Sequence, residues 1–130
     1  MRKYILFIAF FLFCNFNFLH AQVADPSDTL IVYFKALKNG DVETIKKCIA
    51  GDYYKKYKVL LEENQSYPEF LRNFYQGAEF DIVNTTKGNN DDVIVQVQTY
   101  FADGSTAHNK LRLKNFNKDG WKIVEEIVNY

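Results

Sequence analysis

Apolar positions recur along this chain with two different periods, one after the other. From Asp25 to Gly77 the spacing is helical, and from Ala78 onward it alternates. Asp25, Pro26 and Asp28 supply a cap, a proline at the first helical position and an acid at the positive helix end. Leu30, Tyr33, Phe34 and Leu37 then form one stripe, and Asn39-Gly40 stops it. Asp41 caps a short second helix that turns Val42, Ile45, Cys48 and Ile49 inward. Gly51-Asp52 opens a third, in which Tyr53, Tyr57, Leu60 and Leu61 share a face. Ser66 and Glu69 have capping-box spacing, which predicts a fourth helix with Phe70, Leu71 and Phe74 inward, ended by Gly77.

The alternating half divides at turn-forming residues. Phe80 and Ile82 mark a first strand, followed by Lys87-Gly88-Asn89-Asn90. Val93 to Phe101, Ala107 to Leu113 and Trp121 to Ile127 follow as three more, divided at Asp103-Gly104 and at Asn117 to Gly120. Helices first and strands afterwards predict an α+β domain: N-terminal helices packed on a four-stranded antiparallel meander.

The strand pairing follows from which register sorts the two faces. A tight two-residue Asp103-Gly104 turn would set Val97 opposite Lys110, mixing valines with cations on one face. An irregular turn with Val97 opposite Leu111 and Val95 opposite Leu113 sorts both faces. A three-residue loop at Lys118-Asp119-Gly120 sets Asn117 opposite Trp121 and Leu111 opposite Ile127. One face then carries valines, leucines, Trp121, Ile123 and Ile127, with Thr99, Asn109 and Glu125 as polar exceptions. The other carries Gln96, Gln98, His108, Lys110, Arg112, Lys114, Lys122 and Glu126.

The first 21 residues follow a different plan. Arg2 and Lys3 precede an uncharged run from Tyr4 to Phe13, and Leu19-His20-Ala21 offers a cleavage site before Gln22. Residues 1–21 are therefore expected to be a signal peptide, and residues 22–130 a single exported domain, periplasmic or extracellular. A retained membrane anchor is disfavoured because Asn15 and Asn17 interrupt the apolar run, and a lipid anchor at Cys14 because Phe13 stands where a small residue belongs. No membrane span is expected after cleavage.

Removing this segment changes the chemistry available. Of 16 Lys+Arg, 14 remain against 16 Asp+Glu, a balance that argues against nucleic acid and polybasic membrane binding. Cys48 and His108 are left as single representatives of their kinds, so no intramolecular disulfide and no zinc site of the usual type is expected, and no cofactor is implied.

Tyr33-Phe34-Lys35-Ala36-Leu37-Lys38-Asn39-Gly40-Asp41 resembles the junction between the first two helices of the nuclear transport factor two-like superfamily, and Asp119-Gly120-Trp121-Lys122-Ile123 resembles its last hairpin. The likeness extends from Asp25 to Val128, and within the superfamily it is to small exported bacterial domains described as lumazine-binding-like. It implies a cystatin-like α+β cone, a curved sheet wrapped around helices, often with a pocket inside. The same shape serves ketosteroid isomerase, polyketide cyclases, scytalone dehydratase and non-catalytic binding modules, so it does not name a function.

The pocket so implied would be lined by Tyr33, Tyr57, Val97, Thr99, Asn109 and Glu125. A carboxylate on an apolar face can serve as a general base, and tyrosine hydroxyls can hold an oxyanion. Tyr100 falls on the opposite face from Glu125. No aspartate matches the isomerase base, and no Asp-His pair matches the dehydratase, so no catalytic residue is assigned. His108 and the stripe Lys110, Arg112, Lys114 and Lys122 are expected to be solvated, with Cys48 an inert core residue. Tyr53, Tyr54, Tyr57, Tyr67 and Tyr75 are expected to pack in the core and rim, stacking on a ring-shaped or sugar ligand being the alternative. The sequence thus points to an exported non-catalytic module that binds a small ligand or an envelope protein. The alternative is an isomerase, cyclase or dehydratase using Glu125. Homodimerisation through the outer sheet face is a further expectation.

Overall fold

A computed structural model describes residues 25–128; residues 1–21, expected to be a signal peptide, and Cys14 lie outside them. Four helices, α1 (Pro26–Asn39), α2 (Val42–Cys48), α3 (Gly51–Glu62) and α4 (Tyr67–Phe74), precede four strands, β1 (Glu79–Lys87), β2 (Val93–Tyr100), β3 (Thr106–Asn115) and β4 (Trp121–Ile127). The strands form one antiparallel meander in chain order, the α+β arrangement expected from the change of period.

Local chemistry explains the first half. Asp25 accepts from the Ser27 amide while Asp28 accepts from the Asp25 amide, so the start of α1 satisfies two otherwise orphaned donors. Gly40 ends α1 with φ 64°, and Asp41 caps α2 through the Thr44 amide. Leu30, Tyr33, Phe34, Ala36 and Leu37 are buried along α1. The Thr29 hydroxyl donates to the Trp121 carbonyl at 2.9 Å, which ties α1 to β4. Ile49 forms a parallel bridge with Ile123, and the Ala50 amide donates to the Ile123 carbonyl at 2.9 Å.

The fourth helix corrects the sequence pattern. Ser66 makes no side-chain cap bond; its amide instead donates to Asn64 Oδ1. Tyr67 and Leu71 are the buried pair, whereas Phe70 and Phe74 are about half exposed. Three apolar residues in a helix this short fit more than one face, and the tyrosine one turn before Leu71 decides it.

The sheet keeps the expected faces through most of its area but not the expected pairings. Val97 opposes Asn109, Val95 opposes Leu111, and Val93 opposes Leu113. The Phe101 amide donates to the Ser105 carbonyl and Gly104 sits at φ 89°, which closes a three-residue loop. The irregular turn is present, but the strands are two residues from the anticipated register. Any odd-length loop sorts the faces equally well, and the shortest that puts glycine in the left-handed position is adopted. The last hairpin shows the same offset: Asn115 opposes Trp121, and Asn117, not Gly120, opens the loop in the left-handed region at φ 57°.

Two bulges interrupt the ladder, one at Val83 in β1 and one at Val124 in β4. The second changes the faces. Leu113 opposes Ile123, but beyond Val124 the pairs are Arg112 with Glu125, Leu111 with Glu126, and Lys110 with Ile127. Opposed residues share a face, so Glu126 joins Leu111 on the concave side and Glu125 and Ile127 turn outward. This overturns the expected inward placement of Glu125 and Ile127. The core between helices and sheet is built on Leu30, Leu71, Val95, Val97, Leu113 and Ile123, each almost fully buried.

Candidate functional site

The helices do not fill the concave side completely. Between α1, α3 and α4 and the middle of the sheet lies a cavity of about 130 Å³. Tyr33, Phe34 and Leu37 reach it from α1, and Tyr53 and Tyr57, one turn apart, from α3. Tyr67 begins α4 and Tyr75 follows it, while Phe80, Val97, Thr99, Asn109, Leu111 and Glu126 come from the sheet.

Aromatic rings make most of the wall. Phe34 and Phe80 stack with centroids 4.3 Å apart and planes within 2°. Tyr53 and Tyr57 are 5.0 Å apart and tilted, and Tyr75 lies 5.7 Å from Phe80. The Tyr33 and Tyr53 hydroxyls bond to each other at 2.8 Å. Burial is the main reason that Tyr33, Tyr53, Tyr67 and Tyr75 hold their protons more tightly than free tyrosine; neighbouring tyrosines add to it, except that the bond with Tyr33 acts the other way at Tyr53. For Tyr75, pushed up to about 12, the Glu126 charge contributes last. These hydroxyls are therefore neutral at physiological pH and can both donate and accept.

Opposite the tyrosines sits the one carboxylate of the lining. Asn109 Nδ2 donates to Glu126 Oε1 at 2.8 Å, and Lys56 Nζ lies 3.8 Å from Glu126 Oε2. Amide and carboxylate are held side by side, with the largely exposed lysine of α3 paired to the carboxylate from outside the lining.

Of the anticipated lining, Tyr33, Tyr57, Val97, Thr99 and Asn109 come together here. Glu125 does not: it lies on the outer face, bonded to Arg112 at 3.0 Å. The bulge at Val124 is the reason, and it puts Glu126 in the place anticipated for Glu125. Tyr53, Tyr67 and Tyr75, for which ligand stacking was the alternative to core and rim packing, also line it, whereas the sequence did not single out Glu126 or Phe80 for this site. The i, i+4 spacing of Tyr53 and Tyr57 was a usable signal for the first tyrosine; nothing comparable marked Glu126. His108 is exposed on the outer face, and Cys48 is a buried free thiol whose pKa is raised, chiefly by burial. Among the described residues, no three His, Cys, Asp or Glu side chains are grouped to hold a metal ion, and no helix is long and apolar enough to cross a membrane.

No family model and no curated protein matches the sequence. Among solved structures, a Campylobacter jejuni protein described as an NTF2-like transpeptidase matches with a TM-score of 0.51, at 16% identity, over 78% of this chain and 99% of its own. The chain has the NTF2-like fold. In the terms of that fold, helices lie in the hollow of a curved open sheet, and the cavity is the part of the hollow they leave free. The bulge at Val124 gives this NTF2-like sheet its inward carboxylate.

Proposed function

We propose that this protein is an exported binding module, and that its cavity takes a compact, uncharged, single-ring ligand bearing both hydrogen-bond donors and acceptors. The observation that carries the reading is that helix-borne tyrosine hydroxyls and a sheet-borne Asn109–Glu126 pair line one aromatic enclosure. The tyrosine hydroxyls suit an acceptor such as a carbonyl. The Asn109–Glu126 pair suits a donor, and the Glu126 carboxylate disfavours anions. A cavity near 130 Å³ compares with the ~150 Å³ that admits a benzene ring in an engineered apolar site. Export is supported by the charged, apolar and small-residue order of residues 1–21.

Ligand-observed NMR with a panel of single-ring compounds tests this. Binding is expected in the native protein and is expected to vanish in Val97→Phe, which fills the cavity from the sheet. Equal binding by the two proteins would remove the cavity from consideration and favour the envelope-partner form of the reading.

The transpeptidase description of the Campylobacter jejuni protein does not transfer easily. Acyl transfer of that kind relies on an activated nucleophile beside a base. Cys48 is buried on α2 with its thiol pKa raised, and His108 is exposed on the outer sheet face.

One observation favours a second reading, proton transfer. Glu126 and tyrosine hydroxyls line one cavity of about 130 Å³, which suits removal of a proton next to a ligand carbonyl. Exchange of such a proton for deuterium, present in the native protein and lost in Glu126→Gln, would distinguish catalysis from binding.

A further inference from the structure

The second half of β4 has two chemically reasonable registers against β3, and simple alternation favours the one not adopted. If the Leu113–Ile123 pairing ran on unbroken, Glu125 would oppose Leu111 and Ile127 would oppose Asn109, both on the concave face. Glu126 would then oppose Lys110 outside. That register would continue the apolar stripe of Trp121 and Ile123 with Ile127. The observed strand gives up one pairing at Val124, turns Ile127 outward and brings a carboxylate in.

The compensation lies on the convex face. Arg112 Nε donates to Glu125 Oε2 at 3.0 Å. One terminal nitrogen of the same guanidinium lies 3.7 Å from Asp92, a buried aspartate between the β1–β2 turn and β2. Arg112 is thus held from one side by a residue that belongs to neither β3 nor β4. Only after a one-residue slip in β4 does a carboxylate stand opposite it, because the unbroken ladder would put Val124 there. Val124 itself is buried in the bulge, close to Gly51.

We propose that the Arg112–Glu125 pair is a positioning device: it selects the bulged register of β4 and so presents the Glu126 carboxylate to the cavity. Its functional meaning rests on the reading of the cavity as a ligand site; the choice of register does not. The signal passes through the strand by parity alone. Holding residue 125 outside forces residue 126 inside, where Asn109 receives it.

Cross-strand proton–proton contacts in NMR spectra read the register directly. The decisive variant is Glu125→Leu, which removes the anion and completes an alternating apolar stripe from Trp121 to Ile127. The contacts between positions 112 and 125 and between 111 and 126 are expected to disappear, and a contact between 111 and 125 to appear. The Asn109 side-chain amide signals are expected to move to those of a freely hydrated amide. Glu125→Asp, the conservative variant, is expected to keep the native contacts. If Glu125→Leu retains the 111–126 contact and the shifted Asn109 amide, the bulge is fixed by Val124 against Gly51 and the proposal is overturned. Should Glu125→Leu fail to fold, Glu125→Gln serves: a second set of contacts from the unbroken register supports the proposal, and an unchanged spectrum overturns it. A variant that changes register yet binds the single-ring ligand with native affinity would count against the ligand reading and leave the register device standing.

Discussion

The hydroxyls of Tyr33 on α1 and Tyr53 on α3 share one buried hydrogen bond of 2.8 Å. Their bond joins two helices at the cavity wall, where each ring is also part of the hydrophobic enclosure. Removing one hydroxyl leaves the other short of a partner; removing both leaves none to satisfy. Tyr33→Phe and Tyr53→Phe are each expected to cost about 1–2 kcal/mol, and the double variant less than the sum of the two. Urea denaturation of the four proteins checks this, and strict additivity would mean that the bond contributes nothing.

Stability is expected to fall at alkaline pH before the sheet is otherwise disturbed. Tyr75 is pushed up to about 12 by burial and, less strongly, by neighbouring negative charge, against an unfolded value near 10. Because the folded pKa is the higher one, the contribution is complete below about pH 10 and is lost as pH rises toward 12. Tyr33 and Tyr53 act in the same direction. Tyrosinate absorbance should appear together with loss of fold, and Tyr75→Phe should shallow the decline. Tyrosinate formation in a fully folded protein near pH 10 would contradict this.

Gly40 holds the α1–α2 junction at φ 64°, and a methyl group there would overlap the Pro68 carbonyl oxygen of α4. Gly40→Ala therefore combines a left-handed backbone with a collision against main chain. A loss of about 3 kcal/mol is expected, measured as a lowered denaturation midpoint with an unchanged slope. Gly104→Ala should be milder, since that position opens onto free space.

Cys48 is buried and its thiol pKa is raised. Alkylation of the native protein is expected to track unfolding, so its rate should rise with urea in step with the unfolded fraction. Rapid labelling without denaturant would show that α2 opens independently.

The helices and the order of the strands could be read from the sequence because each depends on local signals. Asp25, Gly40 and Asp41 act on the few residues beside them, and valine alternation along β2 survives any odd-length turn. The site was only half legible. Tyr33, Tyr57, Thr99 and Asn109 were found because their own elements are regular. Glu126 was missed because its orientation depends on a single extra residue at Val124, and nothing in Ile123-Val124-Glu125-Glu126 marks that slip. The deciding partner, Arg112, lies on another strand and is itself held by Asp92. Helix α4 failed for a related reason: Tyr67 and Phe70 are equally apolar on paper, and only the core shows which is inside.

The strip of chain at Ile49–Ala50 that bridges to Ile123 also covers the centre of one border of the sheet. With β4 occupied at its centre, β1 is the longer unbridged margin. Its exposed Val83 interrupts the row of free amides with a bulge, and Lys87 places a charge at its end. The bulge at Val83 and the charge of Lys87 therefore work against strand-by-strand addition along β1, and straightening that bulge would lengthen the edge a second strand could join.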